Sequence, residues 1–166
     1  MVNQERDPKH LTKATGDILR AIHLLLIGAE PSAVALPSDI ATRTGTSRAF
    51  VTKMLKHLKE QDLVEYAPYQ GVRLSPTGAR AAIELSRHHR LLEYFLANTL
   101  GFSLEKAHAE AERLEHVISE EFEERLAAFL GNPVACPHGT PIPNPDGSYP
   151  DLSQRAAAPL EPGVSR

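Results

Sequence analysis

Apolar residues recur at helical spacing from Leu11 to Ile27, where Ile18, Leu19, Ile22, Leu25 and Leu26 share a face and Gly28 stands just past the end. This pattern predicts a first helix. Pro31 and Pro37 then break the chain, and Ser38 is placed to cap a short helix, Asp39 to Arg43, that stops at Gly45. From Ser47 a longer helix carries Val51, Met54, Leu55 and Leu58 as an apolar stripe, with Arg48, Lys53, Lys56 and Lys59 largely outside it. Short β-prone runs between Glu65 and Leu74 flank Tyr69-Gln70-Gly71 and predict a hairpin that carries Arg73. Ser75-Pro76 opens the next helix, with serine as cap and proline where its missing N–H is not needed. That helix is expected to reach about Leu100. After the interruption at Gly101-Phe102-Ser103, one further helix is expected from Ser103 to Leu130, ended by Gly131-Asn132-Pro133.

These elements define a mostly α fold. Helix, tight turn, basic helix and hairpin make a winged helix-turn-helix domain over 1–75, and a helical domain follows over 76–143. The tail, 144–166, is rich in proline and poor in periodic apolar residues, so it is expected to be extended or disordered.

With 166 residues, 42% of them hydrophobic, the chain can bury a core as one compact domain or two small ones. It has no run of roughly 18 apolar residues of the kind a membrane span needs, and Met1 to Lys13 lacks the apolar core of a secretory signal. Cys136 has no partner for an internal disulfide, which fits a reducing compartment. The cytoplasm is the expected location. The net charge of −3 is unevenly divided. Residues 1–90 carry 13 Lys and Arg against 9 Asp and Glu, a net of +4, whereas residues 91–166 carry 5 against 12, a net of −7. A basic half suits phosphates and an acidic half suits cations, although solvated helix faces give the same split.

In a helix-turn-helix the second helix enters the major groove and presents its first residues to base edges. Here those are Ser47, Arg48, Ala49, Thr52 and Lys53; Lys56 is placed for a phosphate, and Arg73 on the wing for an adjacent backbone or minor groove. Trihelical units with basic faces also occur in proteins that bind no nucleic acid.

In the helix after Ser103, His108, Glu112, Glu115 and His116 follow at intervals of four, three and one and are expected to share one exposed, chelating face. In the preceding helix His89 and Glu93 are four apart. Two carboxylates among these donors suit Mn2+ or Fe2+, while His116 suits Zn2+, which competes through its higher general affinity. The same helix also holds Glu120, Glu121, Glu123 and Glu124, so a plain solvated surface is the competing reading.

Taken together, Ser47-Arg-Ala-Phe-Val-Thr-Lys-Met-Leu, Tyr69-Gln-Gly-Val-Arg-Leu-Ser-Pro-Thr-Gly, His88-His-Arg-Leu-Leu-Glu, Glu112-Arg-Leu-Glu-His and Cys136-Pro-His-Gly-Thr-Pro-Ile-Pro resemble the diphtheria toxin repressor family, including its manganese transport regulators. The resemblance runs over about residues 11–143. It implies a homodimer formed through the helices after the winged domain, and repression at palindromic double-stranded operator DNA with metal as corepressor. It also implies a primary metal site of Asp17, Glu112, Glu115 and His116. An ancillary site would draw on His89, Glu93 and His108, or in some manganese-responsive members on Cys136 and His138. Iron-responsive members commonly have cysteine where Glu112 stands and methionine where Asp17 stands, so this chain is expected to favour Mn2+, then Fe2+, with Zn2+ third. Arg20 stands where the smallest manganese regulators have a second acidic ligand, which argues against their paired-ion arrangement. Many relatives continue into a small β-barrel, and Pro159 to Arg166 looks like the approach to one, in a natural short form or a truncation.

Three other functions compete. A winged-helix regulator could sense a small organic effector, with the acidic helix merely solvated. A metalloenzyme could use Glu112, Glu115 and His116 to activate water, but the chain lacks a His-Glu-x-x-His arrangement and catalysis would leave the winged segment unexplained, so it is not expected to be an enzyme. A purely structural module could use the later helices only to dimerise.

Overall fold

The structure, a computed structural model, describes residues 11–152; the far part of the tail lies outside these. The element order is α1 (Lys13–Leu26), α2 (Pro37–Thr44), α3 (Arg48–Glu60), β1 (Val64–Ala67), β2 (Gly71–Leu74), α4 (Pro76–Tyr94), a π-helical turn (Phe95–Thr99), α5 (Leu104–Leu114) and α6 (Glu120–Phe129). The fold is mostly α, a winged helix-turn-helix followed by a helical unit.

Local chemistry accounts for the boundaries. Thr12, Ser47, Ser75, Ser103 and Ser119 each cap a helix by accepting a hydrogen bond from the N–H three residues on. Ser38 does not cap α2 as expected. That helix begins two residues earlier than expected, at Pro37, whose fixed φ suits the first helical turn, and Ser38 instead donates to Asp39. Gly45 closes α2 in the left-handed conformation, making the tight turn into α3. The wing is an antiparallel pair in which Val64 faces Leu74 and Ala67 faces Gly71, and a bridge from Ala35 to Val72 ties it back to the loop before α2.

Two apolar cores form. The first gathers Ile18, Leu19 and Ile22 of α1, Ile40 of α2, Val51, Leu55 and Leu58 of α3, Val72 of the wing, and Ala81 and Ala82 of α4. The second gathers Leu91 and Leu92 of α4 with Ala107 and Ala111 of α5, Leu126 and Ala127 of α6, Cys136 and Ile142. Helix α4 thus serves both cores. Between them it buries a polar band of five consecutive residues, Ser86 to Arg90. Arg87 and Arg90, one turn apart on α4, donate to the carbonyls of Pro143 and Pro141, so alternate residues of the proline-rich segment are held along the helix.

Helix α4 begins hard against Leu63, the residue just before β1. A Cβ on Gly78 would lie 2.0 Å from the Leu63 carbonyl oxygen, and Ser75 N donates to that same oxygen. Replacing Gly78 with Ala must therefore push backbone from backbone. We expect a loss of about 3 kcal/mol of stability, read as a lower urea midpoint.

A pH effect follows from His23. Burial and the neighbouring Arg90 lower its pKa to about 4, so the folded state holds it neutral while the unfolded state protonates near 6.5. The unfolded chain binds more protons between those values, so stability is complete above about pH 6.5 and declines as pH falls toward 4. The expected loss is roughly 2 kcal/mol between pH 7.5 and 4.5, and His23→Leu should flatten that part of the urea-midpoint profile.

Candidate metal centre

The chelating residues lie where the α5 helix ends. One helix was expected from Ser103 to Leu130, but the chain breaks between Leu114 and Glu120. Ser119 caps a new helix there and acidic Glu120, Glu121 and Glu123 complement its N-terminal dipole, a start signal present in the sequence. The break corrects the expectation of one exposed face. Glu115 turns inward and is 1% exposed, while the Glu112 side chain is half exposed. Glu123, expected on a solvated surface, is buried against Arg87 and His88.

Glu115 Oε1 lies 3.2 Å from Arg20 Nη1 of α1 and 3.3 Å from His116 Nε2; its Oε2 lies 2.5 Å from His89 Nδ1 of α4. His116 Nε2 also reaches Asp17 Oδ1 of α1 at 2.9 Å. Asp17, Glu115 and His116 therefore converge from opposite ends of the chain. Burial pushes the Asp17 carboxyl up, but the hydrogen bonds from His116 and Lys13 and the charge of Lys13 outweigh it and leave the pKa below the ordinary value. Glu112 stands apart from this group. Spaced four residues from His108 on α5, its carboxylate pairs with His108 Nε2 at 3.3 Å, while its main-chain carbonyl accepts from Lys13 at 3.5 Å.

A second focus is Glu93. Its Oε1 meets His108 Nδ1 at 2.6 Å and His89 Nε2 at 3.1 Å, and those two ring nitrogens are 3.1 Å apart. Its Oε2 lies 3.6 Å from His138 Nδ1, in a set completed by Cys136. Both ancillary sets expected from the resemblance are thus assembled, and Glu93 is common to them. Burial raises the Glu93 pKa, yet hydrogen bonds and charge from His89 and His108 prevail and bring it to about 2. Acceptors this close fit a cation: two donors about 2.1 Å from one ion and at right angles are about 3 Å apart. The mixture of carboxylate oxygen and imidazole nitrogen suits divalent cations such as Mn2+, Fe2+ and Zn2+, and the Cys136 set adds a softer donor.

The expected DNA-contacting residues occupy the surface of α3 and the wing. Arg48, Ala49, Lys53 and Lys56 are exposed and Thr52 is half-buried, its hydroxyl donating to Arg48 O. Ser47 spends its hydroxyl on the helix cap. Arg73 is half-buried and donates to the Ser32 carbonyl, which draws it back from the position expected of a free wing arginine. Arg20 was noted in the sequence only for standing in a ligand position. Its place three residues after Asp17 on α1 was the available sign that it shares the Asp17 face.

The sequence model described as "Iron dependent repressor, N-terminal DNA binding domain" matches residues 10–72, and "Iron dependent repressor, metal binding and dimerisation domain" matches residues 75–144. The diphtheria toxin repressor of Corynebacterium efficiens is 36% identical over 135 residues, 81% of this chain and 57% of that protein. A manganese-dependent transcriptional repressor solved in complex with manganese superposes with a TM-score of 0.76 at 37% identity, over 82% of this chain and 62% of that one. ScaR with bound Zn2+ gives 0.67 at 33% identity, over 87% and 68%. The chain therefore spans less than two-thirds of the length of the first two. Through both matched models and these identities, the chain belongs to the iron-dependent repressor family, that of the diphtheria toxin repressor.

Proposed function

We propose that this protein is a cytoplasmic, metal-dependent transcriptional repressor and not an enzyme, a homodimer that binds palindromic operator DNA when a divalent cation occupies its acidic sites. Mn2+ is the favoured ion, Fe2+ the second and Zn2+ the third. The proposed units are a DNA-binding domain over 1–75, a metal-binding and dimerisation domain over 76–143, and a tail from 144. One observation carries the reading: Asp17, on the first helix of the winged unit, meets Glu115 and His116 from the other unit.

Asp17, Glu115 and His116 would hold the primary ion; Glu112, whose carboxylate pairs with His108, would have to turn from it to complete the set. Glu93 with His89 and His108, or with Cys136 and His138, would hold the ancillary one. A bound cation supplies the positive charge that lets these carboxylates lie together. Asp17 then draws α1 toward the end of α5, which fixes the winged unit and with it the spacing of two α3 helices across a dimer. Arg48, Lys53 and Lys56 meet bases and phosphates; Ala49 and Thr52 pack at the groove. A small organic effector would leave this convergence of charged groups without a role. Metals bound by relatives support a divalent cation as the ligand: manganese in one solved repressor and Zn2+ in ScaR.

The test is fluorescence anisotropy on promoter fragments of the organism's metal-transporter genes, with metal-stripped protein titrated with Mn2+, Fe2+ or Zn2+. Binding should tighten at least tenfold with metal; equal affinity with and without metal rejects the proposal. Asp17→Ala, whose side chain is one-third exposed, should abolish the tightening with little change in metal-free stability. Glu115→Ala should abolish it too but also cost about 3 kcal/mol, because Arg20 and His89 lose a buried counter-charge; urea unfolding separates the two variants. Arg48→Ala should weaken metal-activated binding by about tenfold without moving the metal midpoint.

A further inference from the structure

Tyr149 stands beyond both matched family regions, yet it is docked against α1 and α4, which carry Asp17 and the His89–Glu93 pair. Its hydroxyl lies 2.6 Å from His23 Nε2 of α1, and the two rings meet end to end, nearly parallel at 17° with centroids 6.0 Å apart. The Arg90 guanidinium of α4 lies 5.8 Å from the Tyr149 ring centroid. The chain before it is preorganised. Arg90 and Arg87 hold the Pro141 and Pro143 carbonyls, then a turn closes with Asn144 N donating to Ser148 O at 2.8 Å and Ser148 N donating to Asp146 Oδ1 at 2.8 Å. Gly147, at φ 84°, reverses the chain within that turn and aims Tyr149 at α1.

The geometry matters for Asp17. The apolar contact of Ile18, Leu19 and Ile22 holds α1 in the first core but is non-directional, so it fixes the rotation of the helix about its own axis less firmly than a hydrogen bond does. Asp17 and His23 are six residues apart, about 9 Å along the axis and roughly 120° around it. The polar ties of α1 to the end of α5, through Lys13, Asp17 and Arg20, all come before His23, which adds a polar tie nearer the end of the helix and on another side and so limits the remaining rotation.

We propose that Tyr149 is a positioning residue for the Asp17 cluster: by joining His23 of α1 to Arg90 of α4, it sets the direction of Asp17 toward Glu115 and His116 before an ion arrives. This rests on the metal reading above. Tyr149 touches none of the proposed ligands, and it acts through the orientation of α1. The Tyr149 hydroxyl donates a hydrogen bond to Nε2 of His23, which burial keeps neutral, so the attachment holds at neutral pH.

The experiment is Mn2+ titration of the full chain by calorimetry in a Glu93→Gln background, where binding reports the Asp17 cluster alone, combined with hydrogen exchange of the metal-free protein. Tyr149→Ala should weaken Mn2+ binding about fivefold in that background. In an Asp17→Asn background, which reports the Glu93 sets, it should leave binding unchanged. Tyr149→Phe, which retains the ring but not the hydroxyl, should fall between wild type and Tyr149→Ala. Equal loss in both backgrounds, or none in either, overturns the proposal. If the parent protein binds no Mn2+ at all, the metal reading fails and hydrogen exchange decides the clamp: Tyr149→Ala should speed exchange in α1 around Ile22–Leu26 relative to α4, and equal rates would overturn it.

Discussion

A carboxylate cannot be taken out of water alone, and Glu115 is nearly as deep as the leucines around it. Its burial is tolerable because three elements each send it a positive or protonatable group: Arg20 from α1, His89 from α4 and His116 from the chain just after α5. Each of those groups is placed by a different part of the fold. Helix α1, seated in the first core by its apolar stripe, carries Arg20 and Asp17, the polar band of α4 between the two cores carries His88 and His89, and the end of α5 turns His116 back toward α1. The junction of the winged and helical units is thus electrostatic at its centre and apolar on either side, an arrangement able to respond to an added cation where a wholly hydrophobic interface could not.

Much of this was legible in the sequence because it depends on local rules. Serine caps, the glycine after α2 and the apolar periodicities located every helix of the winged unit and the start of α4. The donor residues at His89, Glu93, His108, Glu115 and His116 were visible from their spacing. Asp17 was not, since a lone acid on an amphipathic helix has no local distinction; it entered through family resemblance alone. The break between α5 and α6 was missed because the acidic residues on both sides read as one continuous polar face, although Ser119 marked the restart. The depth of Glu115 was also illegible. It depends on that break and on Arg20, 95 residues away in sequence. Likewise the withdrawal of Arg73 to the Ser32 carbonyl is a long-range contact that no hairpin pattern contains.

Helix α4 explains how two small cores behave as one molecule. Its first half closes the core under the wing and its second half closes the core with α5 and α6, so the polar residues between them are shielded from both ends. Arginines on the same helix organise the proline-rich segment, which lacks the N–H groups to build a sheet of its own.

The carboxylate of Glu93 has two oxygens that look in different directions, one at a pair of imidazoles and one at the Cys136 and His138 loop. One anion thus belongs to two neighbourhoods of unlike chemistry, nitrogen-rich on one side and sulfur-bearing on the other. Under the proposed metal reading their occupancies would not be separate quantities. An ion held on one side would draw electron density from Glu93 and leave it a poorer donor on the other, so the two sets would be filled interdependently.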